Sequence, residues 1–170
     1  MLVGSQACSI RIVAFREAFE MDAFDFFGDV LDFAIDREIE ANRFYTDLAK
    51  KMKRPAMREV FDAFAREELG HKAKLEALKQ GKKVQAGKTP TDLRIADYIV
   101  DVEATAAMTY EDALVLAMKK EKAAFRLYLD LAAQVGSEDQ KTLFLALAEE
   151  EARHKLRFEI EYDTVVLKEN

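Results

Sequence analysis

Apolar residues recur at intervals of three and four along four stretches of the chain, with polar and charged residues between them. Wound as an α-helix, each stretch presents one apolar stripe. The first runs from about Asp25 to Met52, with Leu31, Ala34, Ile35, Ala41, Tyr45 and Leu48 on its stripe. The second runs from about Pro55 to Gln80, with Pro55 at a tolerated first-turn position and Gly81 as a stop. The third spans about Tyr110 to Val135, with Thr109 as N-cap and Gly136 beyond its end. The fourth follows Ser137, a capping residue with acidic residues behind it, and continues to about Val166.

Only a few residues separate the first helix from the second, or the third from the fourth, so each pair is predicted to form an antiparallel hairpin. Between the pairs lies a longer segment, Gly81 to Met108, containing Gly87, Thr89-Pro90 and a short helix predicted over Thr91 to Val102. The expected fold is an all-α four-helix bundle, two hairpins joined by one long crossover. Residues 25–170 form this unit. Residues 1–24 are of mixed character and are read as an N-terminal extension, with Met21 a conceivable natural start.

What interrupts the stripes carries the chemistry. Glu38 has Leu31 seven residues before it and Tyr45 seven after; Glu121 has Leu114 and Tyr128 at the same offsets. Glu68 follows Phe61, Phe64 and Ala65, and Glu151 follows Phe144, Leu147 and Ala148. These spacings aim four glutamates into the core. An unpaired buried carboxylate costs several kcal/mol or takes up a proton, so four together call for cations. The chain has 2 histidines, and each follows a stripe glutamate by three residues: Glu68–His71 and Glu151–His154. One helix face then offers a carboxylate and an imidazole to the same ion.

Two Glu-x-x-His helices and two single-Glu helices supply the six ligands of a dinuclear carboxylate site: Glu38, Glu68, His71, Glu121, Glu151 and His154. Four carboxylate charges balance two divalent ions. Mixed oxygen and nitrogen ligation suits iron or manganese, and zinc could also occupy it. The ligands repeat 83 residues apart, Glu38 as Glu121, Glu68 as Glu151 and His71 as His154, with Tyr45 recurring as Tyr128. Two related hairpins would set these half-sites face to face. Tyr45 and Tyr128 are either core fillers or hydrogen-bond donors to a ligand carboxylate of the other hairpin. Glu40, Glu67, Glu149 and Glu150 compete for the ligand role, and most are better read as solvated-face residues, Glu67 pointing about 100° away from Glu68.

The Glu-x6-Tyr and Glu-x-x-His pairs, in this order and twice over, resemble the ferritin-like superfamily and its rubrerythrin branch. The likeness covers about residues 30 to 160. It implies a di-iron site reacting with peroxide or dioxygen, with Glu68 and Glu151 closest to both metals, Glu38 and Glu121 terminal, and one histidine on each metal. The chain departs from typical rubrerythrins in three ways. One cysteine leaves no rubredoxin domain, so electrons for catalysis must come from a separate donor. Ala124 stands where rubrerythrins carry an extra glutamate, bringing the ligand set closer to that of bacterioferritins. The chain also ends soon after the fourth helix, which argues against a storage cage. The expected function is a di-iron oxidoreductase of peroxidase or ferroxidase type. The alternatives are iron binding or delivery with a single round of oxidation, or a bundle whose metals only hold it together.

Composition narrows the setting. Half the residues are apolar, 34% are charged, and there are 6 glycines and 2 prolines, a balance that favours long helices. A net charge of -6 argues against nucleic acid, and the patch Lys50-Lys51-Met52-Lys53-Arg54 suits a helix C-terminus. Cys8 alone gives neither a disulfide nor a thiolate metal site and points to a reducing, cytoplasmic setting. No signal peptide or membrane span is expected. Aromatics crowd the stretch Phe15, Phe19, Phe24, Phe26, Phe27 and Phe33 in more directions than one core can take, which predicts a homodimer formed through this region.

Overall fold

The computed structural model describes the backbone of residues 6–53, 55–81, 95–100, 102 and 108–169, and the side chains of residues 27–53, 55–81, 96–100, 102 and 108–165. The described residues form four α-helices: α1 (Gln6–Lys51), α2 (Pro55–Gln80), α3 (Tyr110–Gln134) and α4 (Glu138–Glu169). A 3-10 turn at Ile95–Tyr98 belongs to the crossover. No described helix is long and apolar enough to cross a membrane.

Local chemistry sets most of the boundaries. Pro55 opens α2, where its missing N–H costs nothing. Thr109 caps α3 in a reciprocal box: its hydroxyl accepts from Asp112 N–H, and the Asp112 carboxylate accepts from Thr109 N–H. At the start of α4, the Ser137 carbonyl accepts from Lys141 N–H, and Glu138 and Asp139 favour the positive end of the helix. The largest departure from expectation is α1, which starts at Gln6 and not near Asp25. No glycine or proline lies between Gln6 and Asp25, so nothing in the backbone chemistry stops the helix there. The helix expected over Thr91 to Val102 is narrower where described, a single 3-10 turn; Gly87, Thr89, Pro90 and residues 91–94 lie outside the described residues.

Backbones approach most closely within the hairpins α1–α2 and α3–α4. Between hairpins, α1 lies beside α3 and α2 beside α4. The core falls into two apolar layers. One gathers Phe27, Val30, Leu31, Leu75, Leu131, Phe144 and Leu147; the other gathers Phe44, Leu48, Phe61, Phe64, Leu114 and Phe158. Each large side chain buried this way contributes roughly 1.5–3 kcal/mol. Between the layers lies a polar one.

Candidate metal centre

The polar layer consists of the six residues singled out by the stripe argument. Glu38, Glu68, His71, Glu121, Glu151 and His154 are all buried. Apolar packing above and below places them. Tyr45, Phe61 and Phe158 stack on one side, and Phe64 lies 4.6 Å from the His154 ring. On the other side Tyr128 stacks on Phe144. The two imidazoles face each other nearly parallel, their centroids 5.9 Å apart.

Two ligand groups result. Glu38, Glu68, His71 and Glu151 converge on one point, and Glu68, Glu121, Glu151 and His154 on another, with the ligand atoms of each group within 4.8 Å of one another. Glu68 and Glu151 belong to both. His71 Nδ1 lies 2.8 Å from Glu151, 3.1 Å from Glu68 and 3.5 Å from Glu38. His154 Nδ1 lies 3.4 Å from Glu68, 3.5 Å from Glu121 and 3.6 Å from Glu151.

Five buried atoms of this layer make no hydrogen bond: Glu68 Oε1, His71 Nδ1, Glu121 Oε2, Glu151 Oε1 and His154 Nδ1. Native interiors rarely leave such groups unpaired. Here the orphans come from three of the four helices around one chamber and are the atom types that ligate hard or borderline divalent cations, so the donor set fits metal. Without a cation the layer redistributes its protons. Burial, opposed by His71, pushes the Glu38 carboxyl up to about 8. Burial and the neighbouring Glu121 raise Glu151 well above the usual carboxylate range. Glu68 is also buried, but the adjacent His154 and His71 outweigh that and bring it down to about 2. Both imidazoles are disfavoured by burial as cations, yet their carboxylate neighbours raise them far above the ordinary histidine value.

Two tyrosines tie the hairpins together. Tyr45 on α1 donates its hydroxyl to Glu121 Oε1 on α3, and Tyr128 on α3 donates to Glu38 Oε1 on α1. Of the two roles open to them, each performs both: it is fully buried and it donates to a glutamate of the other hairpin.

Two acidic residues read as solvated-face ones also reach this layer: Glu67 is exposed as expected and Glu150 half-buried, yet each meets a histidine. Glu150 Oε2 lies 2.6 Å from His71 Nε2, and Glu67 Oε2 lies 2.6 Å from His154 Nε2. Each carboxylate reaches across from the opposite hairpin and accepts the outer N–H, which leaves Nδ1 of each imidazole to face the chamber. Lys74 holds Glu150 in place at 2.9 Å. The sequence did carry a signal for this pair, since Glu67 and Glu150 are themselves related by the 83-residue offset. Glu40 and Glu149 are not, matching Ala123 and Arg66.

The chamber has a mouth between α1 and α3. A cavity of about 40 Å³ runs from Glu38, Glu68, Glu121 and Glu151 to a rim formed by Arg37, Lys120 and the crossover residues Tyr98 and Val100. Ala124 lines it, where a longer side chain would fill it. Tyr98 is anchored by its hydroxyl to Asp130 at 2.6 Å.

The family model described as Rubrerythrin matches residues 29–162. No curated protein matches the chain. Among solved structures, a hypothetical protein from Pyrococcus furiosus is similar: 31% sequence identity and a TM-score of 0.65, over 82% of this chain and 89% of that one. Helix order, long crossover, buried carboxylate–histidine layer and family match agree: this chain belongs to the rubrerythrin family.

Proposed function

We propose that the protein is a di-iron oxidoreductase that reduces hydrogen peroxide or dioxygen. The observation that carries this reading is the sharing of Glu68 and Glu151 by two adjacent ligand groups, which suits a pair of ions and not one. When bound, two ferrous ions supply the two electrons that, with two protons, convert peroxide to two waters. The chain contributes the rest. Glu38 and His71 complete one group, Glu121 and His154 the other. Glu67 and Glu150 hold the imidazoles in one tautomer, Tyr45 and Tyr128 fix the terminal carboxylates, and the two apolar layers keep bulk water out. With Cys8 the one cysteine of these 170 residues, electrons for turnover come from a donor outside this bundle, and reducing conditions suit the cytoplasm.

Ala124 favours a second reading. With six ligands and Ala124 where a seventh carboxylate ligand would stand, a single stoichiometric round of ferrous oxidation is chemically complete in itself. Anaerobic loading with ferrous iron followed by peroxide separates the readings. Two irons per chain and sustained peroxide consumption with a supplied reductant support the oxidoreductase. One burst that stops after two iron oxidations supports iron handling. Unreactive metal leaves a structural bundle.

The same reading includes a homodimer. α1 is 46 residues long against 26 in α2, so its N-terminal part extends well beyond its hairpin partner. Phe27 is taken up by the core and Phe33 packs against it; the side chains of Phe15, Phe19, Phe24 and Phe26 lie outside the described residues. Sedimentation of the full chain and of a variant starting at Met21 tests the dimer. A monomer at micromolar concentration overturns it.

A further inference from the structure

The two openings of the chamber differ in charge, and the difference follows the repeat. Between α2 and α4 the rim carries Glu67 and Glu150 together with Lys74 and Arg153, acids and bases in equal number. Between α1 and α3 it carries Arg37 and Lys120, which are related by the 83-residue offset and immediately precede the terminal glutamates Glu38 and Glu121. Each hairpin therefore delivers one cation to the same mouth.

Neither cation is used up by a neighbour. Arg37 donates from Nη2 to Glu40 at 2.7 Å and lies over the Phe33 ring, but its buried Nε makes no hydrogen bond. Lys120 Nζ sits 5.5 Å over the Phe44 ring, and no carboxylate of the described residues lies within ion-pair distance of it. Two donors thus border one cavity. Its volume, about 40 Å³, exceeds the roughly 10–15 Å³ a water needs and suits a molecule of two or three heavy atoms.

Charge decides what kind of molecule. The four chamber carboxylates repel an anion in the metal-free protein. Two divalent ions cancel them, and with Glu40 paired to Arg37 the rim keeps one positive charge in excess. A low-dielectric mouth focuses that field on whatever enters. We propose that the α1–α3 mouth is a binding site for small monovalent anions of two or three heavy atoms, held by Arg37 and Lys120 once the metals are in place. Ionised peroxide belongs to this class; neutral dioxygen gains nothing from it. The inference rests on the di-iron reading and adds the charge of the preferred ligand.

The test compares an anion with a neutral ligand of similar size on iron-loaded protein. Azide is titrated against the oxidised form by its optical charge-transfer band, and nitric oxide against the ferrous form. Lys120→Gln and Arg37→Gln should each weaken azide about tenfold, the double variant more, while Lys120→Arg stays near wild type. Nitric oxide affinity should change less than about twofold, and rising salt should weaken azide alone. Iron content and melting temperature of each variant show that fold and centre are intact. Two irons per chain with unchanged azide affinity in the double variant overturns the inference alone. Fewer than two irons in the wild type overturns the di-iron reading and this inference with it.

Discussion

The α2–α4 side and the α1–α3 side of the polar layer are built from opposite materials. On the first, both imidazoles are locked from behind by carboxylates of the facing hairpin, one of them further tied to a lysine. On the second, the terminal glutamates are held by tyrosines, and beside them the wall opens into a cavity with a cationic rim. Both sides open onto a cavity, but the first holds the imidazoles and the second carries the excess of positive charge at its rim. The same repeat generates both sides, because each hairpin contributes one helix to each. Pseudo-twofold symmetry thus equalises the half-sites while leaving the two faces unlike.

The largest effects should come from the ligands. Glu151 serves both groups and His71 only one. Glu151→Ala should abolish tight binding of both ions, whereas His71→Ala should weaken one ion roughly a hundredfold or more and leave most of the other's affinity. Metal content after anaerobic loading and gel filtration reads this directly. Equal loss of both ions in His71→Ala would show one indivisible site, without two half-sites to compare.

Removing the carboxylates behind the histidines should come next. Glu67→Gln and Glu150→Gln keep shape but lose the charged acceptor, and changes of this kind cost about 10–100-fold in metal affinity. Glu150 should matter more, because its side chain is 28% exposed against 54% for Glu67 and it is pinned by Lys74. Arg37→Gln, on the opposite face, should leave metal affinity unchanged or slightly tighter. Chelator competition on the three variants decides it, and weakening by Arg37→Gln as large as by Glu150→Gln would erase the distinction between the faces.

Protons sharpen the contrast in metal-free protein. The Glu38 carboxyl, raised to about 8 by burial against the opposing pull of His71, favours the folded state when protonated. Its contribution is present below the unfolded value of 4.5 and is lost as pH rises towards 8. The histidines, also raised in the folded chain, contribute fully below 6.5 and progressively less above it. Glu68 runs the other way: lowered to about 2, it stabilises above 4.5 and loses that effect as pH falls. From pH 6 to 8 the apo protein should therefore become less stable. Metal needs deprotonated ligands and competes better as pH rises. The melting-temperature gain on adding manganese(II) should be larger at pH 8 than at pH 6, and a gain independent of pH would mean that metal does not displace these protons.

The buried polar layer was legible from residue spacing because its six members break an apolar stripe, and a charge on a core face needs a reason. The ends of α2 and the start of α3 were legible because Pro55 and Thr109 act within their own turn. The true start of α1 was not, since the residues before Asp25 show no clear stripe and only the absence of a breaker speaks for helix. Glu67 and Glu150 were missed for a different reason. On its own helix each points away from the ligand stripe, and only the placement of α2 beside α4 brings it to a histidine of the other hairpin. Helical periodicity reports which face a residue is on, and not what the neighbouring helix brings to it. The shared offset of this pair was the one available hint, and it distinguished them from Glu40 and Glu149.

The smallest expected effect concerns the tyrosines, and it tests whether the two half-sites are as alike as the repeat makes them. Tyr45 and Tyr128 are both fully buried, and each donates to the terminal glutamate of the other hairpin. Replacing either with phenylalanine keeps the ring and its packing but leaves a buried carboxylate oxygen without its donor, a loss of about 1–3 kcal/mol. The surroundings differ. Tyr45 sits among Phe44, Phe61, Phe64 and Phe158, while Tyr128 has the Phe144 ring as its stacking partner. Those ring contacts survive the substitution, so the two variants should lose similar stability in urea unfolding, with the midpoint shifted and the slope unchanged. If Tyr45→Phe were neutral while Tyr128→Phe was costly, Glu121 would have a second way to be satisfied that Glu38 lacks, and the half-sites would differ in a way that the 83-residue repeat conceals.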